Sequence, residues 1–120
     1  MIEVSVVLSR RTRTLRDVTV RGHGDKGDAG YSTVCAAVTA LARSAARTVE
    51  GYGSLSVDGE ADSPGNLRFS IRETEDTGEG DYLWLMGVTD YFMTGIRDIA
   101  QEHPQECRVE VSSEGDDYGT

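Results

Sequence analysis

Hydrophobic and polar residues alternate at the start of the chain, with an apolar side chain at every second position from Ile2 to Leu8. Because successive side chains of a strand point to opposite faces, this pattern predicts a half-buried strand over residues 1–9. Residues 10–14 are polar and predict a turn. Residues 15–22 predict a second strand, which forms an antiparallel hairpin with the first.

The apolar residues then change to helical spacing. They recur every three or four positions from about Thr33 to Glu50, which predicts a helix that ends at Gly51–Gly53. A second helical pattern runs from Tyr82 to about His103, where Pro104 stops it. The predicted buried stripes are Val34, Val38, Leu41, Ala45 and Val49 in the first helix and Leu85, Phe92, Ile96 and Ile99 in the second.

Three further strands complete the pattern. Leu55–Asp58 and Asn66–Arg72 predict a second hairpin across Gly59–Gly65, and alternation over residues 107–111 predicts a last strand. The predicted order is β-β-α-β-β-α-β. It indicates an α+β fold in which residues 1–120 form a single two-layer domain, with a mixed or antiparallel sheet and two helices packed on one face.

The charge of the chain limits its partners. The 120 residues carry a formal net charge of -9. Nucleic acid is therefore not expected as a direct partner, because phosphate binding needs clustered Lys and Arg. An acidic surface suits a basic protein partner, and it also serves solubility alone.

The distribution of apolar residues predicts neither a membrane span nor a signal peptide. No run reaches the roughly 18 to 20 apolar residues that a spanning helix needs. The alternating N-terminal segment carries Glu3 and is followed by Arg10 and Arg11, the reverse of a signal peptide's order. A cytoplasmic location is expected, where Cys35 and Cys107 would be thiols, not a disulfide.

The segment that carries the candidate catalytic residues joins the second strand to the first helix. His23 follows the strand, residues 24–31 form a glycine-rich loop, and Cys35 falls in the first turn of the helix, which Ser32 can cap. A helix start favours an anion, so it stabilises a thiolate and can also hold an oxyanion. Histidine titrates near neutral pH and can act as general base and acid. The alternatives are a small packed thiol and a structural strand-end histidine.

The sequence gives weaker support for a catalytic or metal-binding role of other residues. Asp25 and Asp28 could orient His23, as the third group of a triad does, or could be solvated. Zinc binding by His23, Asp25, Asp28 and Cys35 is disfavoured, because four ligands in one loop at these spacings fit no familiar zinc pattern. Cys107 alternates with valines and is predicted to be a core residue.

Residues 22–41 resemble the ribosomal-processing cysteine proteases called Prp. The family motif is roughly Gly-His-Ala, a short Gly-rich loop, and Asp-Ile-Val-Cys-Ala-Ala-Val-Ser-Ala-Leu. This chain departs from it at Gly24, where the family usually has Ala, and at Ser32, where it usually has Asp three residues before the cysteine. The matching residues are Gly22, His23, Val34, Cys35, Ala36, Ala37, Val38, Ala40 and Leu41.

The resemblance implies a cysteine endopeptidase that removes an N-terminal extension from a basic large-subunit ribosomal protein, needs no cofactor or metal, and forms a homodimer. Cys35 would be the nucleophile and His23 the base. Ser32 keeps the helix cap of the family's Asp but loses its charge. An alternative is a non-catalytic ribosome-associated or assembly-binding module, and a third is small-molecule thiol chemistry such as acyl transfer. The residues expected in the loop or at the substrate are Gly22, Gly24, Asp25, Asp28, Gly30 and Ser32.

Overall fold

A computed structural model describes residues 1–22, 33–63 and 66–114. The elements follow the predicted β-β-α-β-β-α-β order. They are β1 (Ile2–Leu8), β2 (Leu15–Gly22), α1 (Thr33–Glu50), β3 (Leu55–Ser63), β4 (Asn66–Glu73), α2 (Glu79–Glu102) and β5 (Cys107–Ser113).

The strands form one mixed sheet in the order β3-β4-β2-β1-β5. Both predicted hairpins are antiparallel, and β2 also pairs antiparallel with β4. The last strand, β5, runs parallel to β1, with Cys107 opposite Ile2. The sheet is therefore mixed, one of the two arrangements that the sequence allowed.

Two helices cover one face of this sheet. Helix α1 packs on β2, β3 and β4, whereas α2 packs on β5 and β2 and lies against α1. The core between the layers holds alternate strand residues such as Val4, Val18 and Ile71, each 1% exposed or less, together with Val38 and Phe92. The predicted two-layer α+β architecture is confirmed.

Several predicted boundaries and burials are wrong. Strand β3 continues through Gly59, which was expected to begin a loop, as far as Ser63. Gly59 is tolerated because it lies directly against Phe69 of β4, where a Cβ atom would clash at 2.9 Å. Helix α2 begins at Glu79, three residues before the expected start at Tyr82. Its first turn is stabilised by Asp81, whose carboxylate accepts the Gly78 N–H at 2.7 Å.

Some core predictions were too generous. Leu41 and Ile99 of the predicted helix stripes are only partly buried. The other predicted stripe residues of both helices are buried.

Polar contacts secure the end of the sheet where α2 begins. The Arg16 guanidinium bonds Glu73 at 3.2 Å and Glu114 at 3.3 Å, and so joins β2, β4 and the segment after β5. The Tyr82 hydroxyl donates to Glu73 at 2.6 Å. That hydrogen bond, helped by Arg16 and Arg11, holds the pKa of the Glu73 carboxyl below its usual range. The start of α2 is therefore fixed on the sheet at the end opposite Gly22.

Candidate active site

Cys35 is the third residue of α1 and is buried, with 5% of its surface exposed. The direction of α1 follows from its connection to β3. The helix ends just before Leu55, which pairs with Glu73 at the far end of the sheet from Gly22. Helix α1 is about 27 Å long at 1.5 Å per residue, so its N-terminus returns to the end where β2 finishes.

The predicted base, His23, follows the strand that ends at this end of the sheet. Gly22, the last residue of β2, lies opposite Ile2 of β1 and is half-buried. His23 follows it directly in the sequence. The structure thus brings the residue before His23 and the nucleophile candidate Cys35 to the same end of the two layers.

The predicted site residues between these two points lie outside the described ranges. They are His23, Gly24, Asp25, Asp28, Gly30 and Ser32, and their roles remain predictions from the sequence.

The start of α1 can bind an anion. N–H groups in the first turn of a helix have no intrahelical acceptor, and the helix dipole adds partial positive charge there. The first turn of α1 contains no acidic residue that would oppose an anion. Together these features suit the binding of an oxyanion beside Cys35.

Thr39 was missed by sequence reasoning. It lies one turn after Cys35 on the same helix face and is 7% exposed. Among the described residues its hydroxyl has no hydrogen-bond partner, whereas Thr48 and Thr89 donate to the carbonyl four residues earlier at 2.7 and 2.8 Å. Because helical side chains lean toward the N-terminus, Thr39 can offer a donor on the side of Cys35. The four-residue spacing from the cysteine was the signal that could have found it.

Cys107 is the other buried thiol, 2% exposed, and forms no disulfide with Cys35. It begins β5 opposite Ile2, and burial raises the pKa of the Cys107 thiol. Its predicted place in the core is confirmed.

The two cysteines should differ in reactivity toward alkylation. At neutral pH we expect iodoacetamide to label Cys35 faster than Cys107, because burial raises the pKa of the Cys107 thiol, whereas Cys35 lies in the first turn of α1. Mass spectrometry of tryptic peptides after brief treatment measures both rates in one sample. Equal labelling of the folded protein would contradict the activated thiol, and labelling after denaturation gives the reference.

Within the described parts of the chain, no three His, Cys, Asp or Glu side chains are grouped so that they could hold a metal ion. The helices described there are also too short or too polar to cross a membrane.

Comparison with known proteins decides the family. The family model "Cysteine protease Prp" matches residues 1–108. The chain belongs to the Prp family. This membership makes it a cysteine protease by class and confirms the family that the Gly22–Leu41 segment indicated. No curated protein sequence matches the chain.

Solved structures share the Prp fold. The ribosomal processing protease Prp from S. aureus, in complex with a covalently linked product peptide, is 22% identical, with a TM-score of 0.68 over 92% of this chain and 99% of that chain. Its complex with a substrate peptide is 21% identical, with a TM-score of 0.69 over the same shares. SMU.848 from Streptococcus mutans is 22% identical, with a TM-score of 0.69 over 95% of this chain and 96% of that chain.

Proposed function

We propose that this Prp-family cysteine protease removes an N-terminal extension from a large-subunit ribosomal protein, with Cys35 as nucleophile and His23 as general base and acid. The observation that supports the residue roles is that α1, with Cys35 in its first turn, begins at the same end of the sheet at which β2 ends and leads into His23. The S. aureus relative has been seen with a covalently linked product peptide, as expected when a nucleophile bonds to its substrate.

The proposed reaction has two stages. His23 accepts the proton of the Cys35 thiol, and the sulfur attacks the scissile carbonyl carbon. N–H groups at the start of α1 hold the resulting oxyanion. His23 then gives its proton to the leaving nitrogen as the C–N bond breaks, which leaves a thioester on Cys35. Water, deprotonated by His23, attacks the thioester, and the proton returns to the sulfur as the acyl group leaves.

The substrate fits the charge of the chain. A net charge of -9 attracts a basic protein and disfavours nucleic acid. The test is incubation of the full chain with a synthetic peptide that spans the leader and the first mature residues of the host's large-subunit ribosomal protein. Mass spectrometry should find a single cut that separates leader from mature sequence. An intact peptide would contradict the proposal.

A second candidate is a non-catalytic ribosome-associated or assembly-binding module on the same fold. The observation that favours it is Ser32, which stands where the family usually has Asp. Ser caps a helix about as well as Asp does, but it carries no charge.

Replacing Ser32 with Asp separates the two candidates. If the family's Asp assists electrostatically, Ser32→Asp should increase kcat/KM on the leader peptide a few fold, on the order of 1 kcal/mol in transition-state free energy. A negative charge near His23 would favour its protonated form beside the thiolate. Ser32→Asn, which caps without charge, is the control. An unchanged rate would show a neutral replacement, and inactivity of both proteins would favour the binding module.

Three further expectations accompany the proposal. Residues 1–120 are predicted to act as one Prp-like domain, and the protein is predicted to be cytoplasmic, where ribosomal proteins are made. A homodimer is also predicted, with Tyr82, Trp84, Tyr91 and Phe92 as the aromatic candidates for its interface or for a groove. Phe92 is only 1% exposed and so does not fit a dimer interface, but it contributes to the lining of a groove between the two helices.

A further inference from the structure

An apolar groove lies between the outer sides of α1 and α2. Its volume is about 440 Å³, within the range of roughly 300 to 1,000 Å³ that is usual for ligand pockets. Trp84, Val88 and Tyr91 line it from α2, and Leu41 and Thr48 line it from α1. A helix pair packed on a sheet ordinarily turns polar residues outward, so this lining is unusual.

The groove is rigid on one side and open on the other. The Trp84 ring stacks on Tyr52 with ring centroids 3.7 Å apart, and the Tyr52 hydroxyl donates to Asp81 at 2.9 Å. By contrast, Tyr91 is 76% exposed, and a Cβ atom added to Gly87 would have no neighbour within 4 Å. The groove therefore has a fixed aromatic wall and space for a further side chain.

The groove leads toward the nucleophile, because the helices run antiparallel. Tyr52, just past α1, meets Trp84, and Leu41 meets Gly95. The two contacts are 11 residues apart on each side, from Leu41 to Tyr52 and from Trp84 to Gly95. When this pairing of positions along the two helices is extended toward the start of α1, Cys35 lies level with the last turn of α2. Leu41 is about 9 Å from Cys35 along the axis of α1, at 1.5 Å per residue.

The α2 wall changes from apolar to acidic along this direction. Its groove-facing positions recur every three or four residues, as one face of a helix requires. After Gly95 the stripe continues with Asp98 and Glu102, both exposed and without an ion pair among the described residues. The full stripe is Trp84, Val88, Tyr91, Gly95, Asp98 and Glu102.

From this layout we infer that the groove is an exosite for the peptide that Cys35 cleaves, an inference that rests on the proposed function. A large apolar side chain of the peptide occupies the space beside Trp84 and Gly87. A Lys or Arg of the same peptide lies over Asp98 and Glu102, between that anchor and the scissile bond. A second copy of this chain fits less well, because its own net charge of -9 has the same sign as these carboxylates.

The groove can be filled without disturbing the fold. Gly87→Met places a side chain in open space, and Met is a better helix former than Gly. We expect KM for the leader peptide to rise at least about tenfold with kcat unchanged, because uniform binding of one apolar anchor is lost. Gly80→Met is the matched control, since Gly80 is also exposed in open space on α2 but lies outside the groove. It should keep the wild-type KM.

The acidic end is tested by charge reversal. Asp98→Lys with Glu102→Lys should raise KM about tenfold at low ionic strength, and the difference from wild type should shrink as salt is added. The matched control is Asp90→Lys with Glu79→Lys, which makes the same change of net charge on α2 away from the groove-facing stripe. Equal effects of the two pairs would overturn a local role for Asp98 and Glu102.

Binding can be followed without cleavage. Trp84 is the only tryptophan of the chain, so its fluorescence reports on this groove. Titration of the full-length Cys35→Ser protein with the leader peptide should change the emission saturably, and Gly87→Met in that background should weaken the affinity about tenfold. If the peptide binds in this way but wild type never cleaves it, the proposed function fails, whereas the groove remains the binding site of the peptide.

Two results would overturn the inference while leaving the proposed function intact. One is wild-type KM and affinity for Gly87→Met with normal cleavage. The other is a Gly87→Met protein that sediments as a monomer where wild type sediments as a dimer and still binds the peptide normally. That second result would assign the groove to contact between copies of the chain.

Discussion

Cys35→Ser should abolish cleavage of the leader peptide and leave the fold intact. The hydroxyl of serine is a far weaker nucleophile than a thiolate, and loss of a nucleophile typically lowers kcat by roughly 10⁴-fold or more. Oxygen is close to sulfur in size, and Cys35 lies at a helix start, where a hydroxyl finds N–H donors. Circular dichroism and the melting temperature should therefore stay near those of wild type.

The matched control is the same substitution at the other buried thiol. Cys107→Ser should keep kcat but lower stability by about 1 to 3 kcal/mol, because the new hydroxyl is buried in the core. The opposite pattern, in which Cys107→Ser is inactive and Cys35→Ser turns over normally, would remove Cys35 as the nucleophile.

His23→Ala should lower kcat/KM for the leader peptide by about two to three orders of magnitude, the usual contribution of a general acid and base. Without an imidazole, the thiol of Cys35 is deprotonated less often, and the leaving nitrogen departs without a proton. Initial rates measured by chromatography over a series of peptide concentrations give the value.

The chain has one other histidine, which supplies the control. His103 caps the C-terminus of α2 and is exposed, and its imidazole lies a long 4.0 Å from the Glu106 carboxylate. His103→Ala should therefore change kcat/KM by less than about twofold. A loss below tenfold for His23→Ala would mean that another group acts as the base.

These two substitutions test the part of the site that depends on sequence reasoning most heavily. The placement of Cys35 in the first turn of α1 was predicted and is confirmed, since Thr33 begins the helix. The roles of His23 and Ser32 rest on the motif and on chemistry, because both lie outside the described residues.

Much of the fold could be predicted because local signals agree with one another. Strand β2 and helix α1 have the predicted boundaries, since the change from twofold to helical spacing is sharp and Gly51 ends the helix. The errors occur where a local signal was overridden. Gly59 indicated a loop, but pairing with β4 carries β3 past it.

The parallel pairing of β5 with β1 could not be predicted from spacing along the chain. It depends on where α2 crosses the sheet, which is a question of packing between distant elements. The burial of Phe92 was predicted from its helical spacing and is confirmed, whereas the 76% exposure of its neighbour Tyr91 depends on which side of α2 meets the sheet.

The sequence by itself determined the order of the elements and the core-facing side of each one, because these follow from the spacing of apolar residues. It also determined the family, because the family motif is one contiguous segment. Tertiary structure alone decided the mixed pairing of the sheet, the orphan hydroxyl of Thr39 and the groove beside Trp84. Each of these depends on which faces of distant segments meet, and the pattern along a chain does not specify the distance between two helices or the partner of a hydroxyl.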